Sequence, residues 1–183
     1  MGTIVISPKA DAKSLFNPQQ IPTSQVIAQV PNSENENRND ANTYLERGFK
    51  RIEKDDYKGA IEDFNQVLKI EPNNAYGYVG RGLASFFLEQ YKVAKTDFDK
   101  AIEITPDIAY AHYFRGLTSY ILKDKPSALA FAQRSEGKLA VRGASPTGEG
   151  IADLRKASTL FKKEGKQEFV QKADSFIHKI QES

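Results

Sequence analysis

The chain has 183 residues, 26 of them basic against 24 acidic, with 39% hydrophobic side chains and no cysteine. This is the composition of an ordinary soluble globular chain, and it excludes a collagen, a spanning membrane protein, a fully disordered chain, a disulfide framework and thiolate chemistry. Charge is uneven, at −1 net over residues 1–40, −2 over 41–108 and +5 over 109–183. The basic excess therefore sits near Lys162, Lys163, Lys166, Lys172 and Lys179, as a solvated helix face or a docking surface for an acidic partner.

Residues 1–40 hold four of the eight prolines, a polar run from Asn32 to Asp40 and one aromatic, Phe16. So few apolar side chains cannot offset the entropy of ordering, and a disordered or extended arm is expected. Two apolar patches, residues 3–6 and 26–30, are candidates for docking on the folded part. The N-terminus lacks the basic-then-apolar order of a secretory signal, so a cytoplasmic location is expected; a Met1-Gly2 start is also what a removed leader would leave.

From residue 41 the sequence repeats with a period of 34. Arg47-Gly48, Arg81-Gly82 and Arg115-Gly116 recur at that interval, together with Tyr44, Tyr78 and His112, Tyr57 and Tyr91, and Ala60, Ala94 and Ala128. Phe64 and Phe98, then Pro72 and Pro106, continue the register. In each of the first two units an amphipathic stretch (43–54, 76–88), a polar turn and a second amphipathic stretch ending at Ile70 or Ile104 predict helix, turn, helix. Glycine inside the first helix costs about 1 kcal/mol against alanine, which predicts close approach of a neighbouring backbone there. Glu71 to Asn74 and Thr105 to Asp107 carry stop, turn and N-cap chemistry.

These residues resemble the tetratricopeptide repeat family, whose aromatic, small and proline positions are matched by Tyr44, Gly48, Tyr57, Ala60, Phe64 and Pro72, and by Tyr78, Gly82, Tyr91, Ala94, Phe98 and Pro106. The resemblance implies an all-α fold, a right-handed superhelical solenoid of antiparallel helix pairs with repeats at 41–74, 75–108 and from 109. It also implies a non-enzymatic protein-binding module whose first helices line a concave groove. The groove positions are then Asn42, Leu45, Phe49 and Ile52; Tyr76, Val79, Leu83 and Phe86; and Tyr110, Tyr113, Leu117 and Tyr120. Phe49, Leu83 and Leu117 also read as inter-helix core. The partner-binding residues are taken as Asn42, Leu45, Tyr76, Val79, Phe86, Tyr110, Tyr113 and Tyr120. Family members that grip a C-terminal carboxylate use Lys and Asn where this chain has Leu45, Phe49, Gly80, Tyr110 and Phe114, so an apolar peptide or amphipathic helix suits it better.

The third unit departs from the pattern after Gly116, with Lys125 in place of tyrosine and no closing proline. Residues 94–101 are echoed at 150–157, which leaves two readings. Either 126–136 is the second helix and residue 150 opens a fourth unit, or 128–149 is an insertion of 22 residues and Gly150 restores the repeat. The segment from Gly150 to Phe169 is similar to the closing part of many cyanobacterial tetratricopeptide proteins, which favours the insertion. Residues 137–150 read as an irregular loop, followed by C-terminal helices over about 150–181. The last of these is a cap with Phe169, Ala173, Phe176, Ile177 and Ile180 on its apolar side.

No catalytic constellation is legible. His112 occupies an aromatic packing position, His178 lies on the last helix, and the acid pairs Asp55-Asp56 and Glu62-Asp63 read as solvated charges. Gly77 to Gly82 precedes no Lys-Ser or Lys-Thr, and residues 143–148 miss the spacing of a nucleophile elbow. The expectation is therefore no metal, no cofactor, no nucleic-acid partner and no membrane insertion. The partner expected is another protein, bound by a monomer or weak homo-oligomer acting as an assembly or scaffold factor. Self-association through the arm or an exposed apolar face is the alternative.

Overall fold

The computed structural model describes residues 40–124 and 146–182. The arm with its two patches, Lys125, Ala128, the candidate helix at 126–136 and residues 137–145 of the expected loop lie outside the described residues. Among those described there are seven helices and no strand: α1 Ala41–Glu53, α2 Tyr57–Ile70, α3 Ala75–Phe87, α4 Tyr91–Ile104, α5 Ala109–Asp124, α6 Pro146–Lys163 and α7 Gln167–Glu182. The chain divides into two compact units, ending and beginning at Pro106 and Asp107.

In the first unit α1 packs on α2, α3 on α4, and α3 also on α1 and α2. The helices start where side chains supply caps: the carboxylates of Asp40 and Asp56 accept from the amides of Asn42 and Gly59, and Asn74 Oδ1 accepts from Gly77 N at 2.9 Å. The two hairpin corners are built alike, with Asp55 at φ 61° and Glu89 at φ 62°, one period apart. Phe49, Phe64, Val67, Val79, Leu83, Phe86 and Phe98 fill the core, with the Phe49 and Phe64 rings edge to face at 5.1 Å.

The repeated glycines are explained by aromatic rings rather than by backbone. A Cβ on Gly48 would lie 2.8 Å from the Phe64 ring, one on Gly82 2.8 Å from the Phe98 ring, and one on Gly80 only 2.3 Å from Phe64. Backbone approach, which the sequence led us to expect throughout, occurs only in the second unit. There a Cβ on Gly116 would lie 2.9 Å from the carbonyl oxygen of Gly150.

In the second unit α5 packs on α6 and α6 on α7. Helix α6 begins at Pro146, four residues before the expected start, because proline suits the first helical position. It then runs through Gly150, so the last part of the expected loop is helical. Leu154, Ala157, Leu160 and Phe161 are buried on its inner side. Helix α7 buries Phe169, Ala173, Phe176, Ile177 and Ile180, the apolar side expected of the cap.

Candidate functional site

Each hairpin carries the same polar clasp. Arg47 Nε and Nη2 donate to Asp63 at 2.9 and 2.5 Å, and Arg81 Nε and Nη2 donate to Asp97 at 2.9 and 2.7 Å. Both pairs are 16 residues apart. Arg115 donates in the same two-pronged way to Asp153, at 2.8 and 2.6 Å, across 38 residues. The difference of 22 is the length of the insertion in the second sequence reading, and α6 pairs with α5 through the clasp by which α4 pairs with α3. Gly150, Asp153, Leu154 and Ala157 hold the places of Ala94, Asp97, Phe98 and Ala101.

This corrects the reading of Asp63 as a solvated charge. Asp63 is 2% exposed and Arg51 Nη1 approaches its second oxygen at 3.3 Å. The signal was present as the paired 16-residue spacing of Arg and Asp in two consecutive units. The guanidiniums of Arg47 and Arg81 also lie over the rings of Tyr44 and Tyr78. In the third repeat His112 replaces that tyrosine and its Nδ1 contacts Asp153 Oδ1 at 3.1 Å. Burial alone would raise the Asp153 pKa, but the hydrogen bonds from His112 and Arg115 and the arginine charge hold it below its ordinary value.

The eight expected groove residues fall on one stripe of their helices, at spacings of three, seven and ten. In the first unit Asn42 and Tyr76 are half-buried, whereas Leu45, Val79 and Phe86 are buried. Asn42 Oδ1 is shielded from solvent with no hydrogen-bond partner among the described residues. Phe86 stands edge to face with Phe87 and Tyr91. In the second unit Tyr110, Tyr113 and Tyr120 are all buried. Tyr110 lies against Phe161 at 5.0 Å and Phe169 at 5.4 Å, with Lys166 Nζ 4.8 Å above its ring. Tyr113 meets Phe161 at 6.1 Å and Tyr120 meets Phe176 at 6.0 Å. Burial, followed by the charges of Glu164 and Glu168, pushes the Tyr110 phenol pKa upward. Among the described residues no three His, Asp or Glu side chains gather as metal ligands, and no helix is long and apolar enough to cross a membrane.

The tetratricopeptide repeat profile matches residues 41–74 and 75–108, the two units in which every signature position is present. Residues 41–108 are two tetratricopeptide repeats. The TPR2B-domain:pHsp70 complex of yeast Sti1 is similar, with a TM-score of 0.59, 20% identity and coverage of 78% of this chain and 96% of the other. The first TPR of Spaghetti (RPAP3) bound to the HSP90 peptide SRMEEVD follows at TM-score 0.57, 19% identity and coverage of 82% and 97%. The Arabidopsis OM64 TPR domain follows at TM-score 0.54, 20% identity and coverage of 76% and 94%. At such identities the likeness is one of fold: an all-α tetratricopeptide solenoid fold, which is a protein-interaction fold. None of the curated proteins matches the sequence.

Proposed function

We propose that this tetratricopeptide repeat protein is a non-enzymatic assembly or scaffold factor that holds a peptide or helix of another protein on the inner stripe of its repeats. The observation that carries the reading is the pair of first helices in the first unit, α1 and α3. They lie side by side with Asn42 and Tyr76 half-exposed at their starts and Leu45, Val79 and Phe86 beneath. The Tyr76 ring offers area with a polar tip. Tyr110, Tyr113 and Tyr120 are the corresponding residues of the second unit, where a segment would have to compete with Phe161, Phe169 and Phe176 for them.

Leu45, Phe49, Gly80, Tyr110 and Phe114 supply no cation, so a ligand gripped by its terminal carboxylate is disfavoured and an apolar segment is favoured. Among the described residues the large exposed apolar side chains, Ile70 and Val93, stand on different helices. A cytoplasmic location is part of this proposal. Affinity capture from the source lysate tests it. The whole chain should retain a protein that an N42A/Y76A variant, folded by circular dichroism, releases; equal retention by the variant would place binding elsewhere.

A further inference from the structure

Helix α6 turns Leu154, Ala157, Leu160 and Phe161 inward and leaves its opposite side to water. At about 100° per residue, Arg155, Lys156, Thr159, Lys162 and Lys163 fall within an arc of about 120°. All five are exposed. Lys156 pairs with Asp107 at 2.9 Å, and Asp107 also feels the charge of Lys163. Arg155, Lys162 and Lys163 have no ion pair among the described residues. The helix has one exposed acid, Glu149, at the edge of the arc near its start.

Other helices of the chain are built differently. Lys50 has Glu46, Lys95 has Asp99, Lys100 has Glu103 and Lys172 has Glu168, each three or four positions away on its own helix. The α6 stripe gathers four cations along about 12 Å of helix with a single exposed acid beside them, whereas Arg47, Lys50 and Arg51 on α1 each have a carboxylate partner. Like charges so placed repel one another, and a row of carboxylates laid against them would relieve that repulsion.

We propose that the outer face of α6 docks an acidic segment of a partner protein, a helix whose carboxylates recur at three- and four-residue spacing. A helical partner repeats its charges at the pitch of α6 itself, so that Arg155, Lys162 and Lys163 can each meet a carboxylate. Nucleic acid fits less well, because the stripe contains no aromatic side chain on which bases could stack; Phe161, the ring of α6, is buried. A membrane surface fits less well too, because the apolar arc an interfacial helix would insert is committed to α5. The inference does not depend on the inner-stripe reading, which uses other helices. Exposed pairs are individually weak and screened over about 10 Å at 0.1 M salt, so the docking is salt-sensitive.

The test is fluorescence anisotropy of a labelled alanine-based helical peptide carrying glutamates at three- and four-residue spacing, titrated with the whole chain. The comparison ligands are a single-stranded oligonucleotide and vesicles containing phosphatidylserine. The protein variants are R155E/K162E/K163E, its neutral form R155Q/K162Q/K163Q, a control K58E/K69E/K92E with reversals on α2 and α4, and Y76A. The peptide should bind with a Kd that rises at least about tenfold in either α6 variant, and similarly between low and high salt. The control and Y76A should stay within about twofold of the parent. No binding to the peptide, equal loss in the control, or tighter α6-dependent binding of the oligonucleotide or vesicles would each overturn the proposal.

Discussion

Arg115 holds Asp153 by the same two-pronged contact with which Arg81 holds Asp97, although 38 residues separate the first pair and 16 the second. The third clasp is therefore the same in space and wider in sequence. Asp153 is 7% exposed, and removing it leaves Arg115 and His112 without their shared acceptor. We expect Asp153→Ala to cost about 2–4 kcal/mol. A double-mutant cycle with Arg115→Ala, read from denaturant melts, should return a coupling of at least about 1 kcal/mol; additivity would show that the clasp is incidental.

The pH dependence of that clasp follows from its sign. The carboxyl is lowered in the folded chain, so its contribution is present above the unfolded value of about 3.9 and disappears as pH falls through the folded value. Acidification below about pH 4 should therefore destabilise the parent chain more steeply than Asp153→Asn. Thermal melts of the two across that range check this, and parallel slopes would contradict it.

Deleting residues 128–149 joins Ser127 to Gly150 and returns the third Arg–Asp pair to the 16-residue spacing of the first two. The shortened chain should remain helical and unfold cooperatively. A noncooperative melt or lost helicity by circular dichroism would show that the inserted residues are needed to build the repeat.

The glycines divide sharply. Gly80→Ala should destabilise by about 1–3 kcal/mol, because its methyl would enter the Phe64 ring. Gly148 lies in α6 with nothing within 4 Å of a new Cβ, so Gly148→Ala should gain up to about 1 kcal/mol from helix propensity alone. Chemical denaturation of both variants reads the contrast.

Much of this architecture was legible in the chain. Turns at Asp55, Pro72 and Glu89, the helix ends at Ile70 and Ile104, and the apolar side of α7 all follow from periodicity and local turn chemistry. The third repeat was ambiguous because Phe131 stands where the period calls for aspartate. Only the distant Gly150 to Ala157 echo marked the alternative. Burial of Tyr110, Tyr113 and Tyr120 was harder to see, since a three- and seven-residue aromatic spacing looks the same whether the stripe faces a ligand or Phe161, Phe169 and Phe176. Helix α5 is buried on nearly every side, with Arg115 alone less than buried between Ile108 and Ile121. That is the pattern of a helix covered all round.

The most direct measurement for the protein-binding reading is selection of a random peptide display library on the whole chain, followed by titration of the selected peptides against the parent and the folded Y76A variant. The account predicts enrichment of peptides with apolar side chains at helical or alternating spacing, and a loss of at least about tenfold in affinity on Y76A. Selected peptides that bind the variant as tightly as the parent, or a selection that enriches nothing, would contradict it.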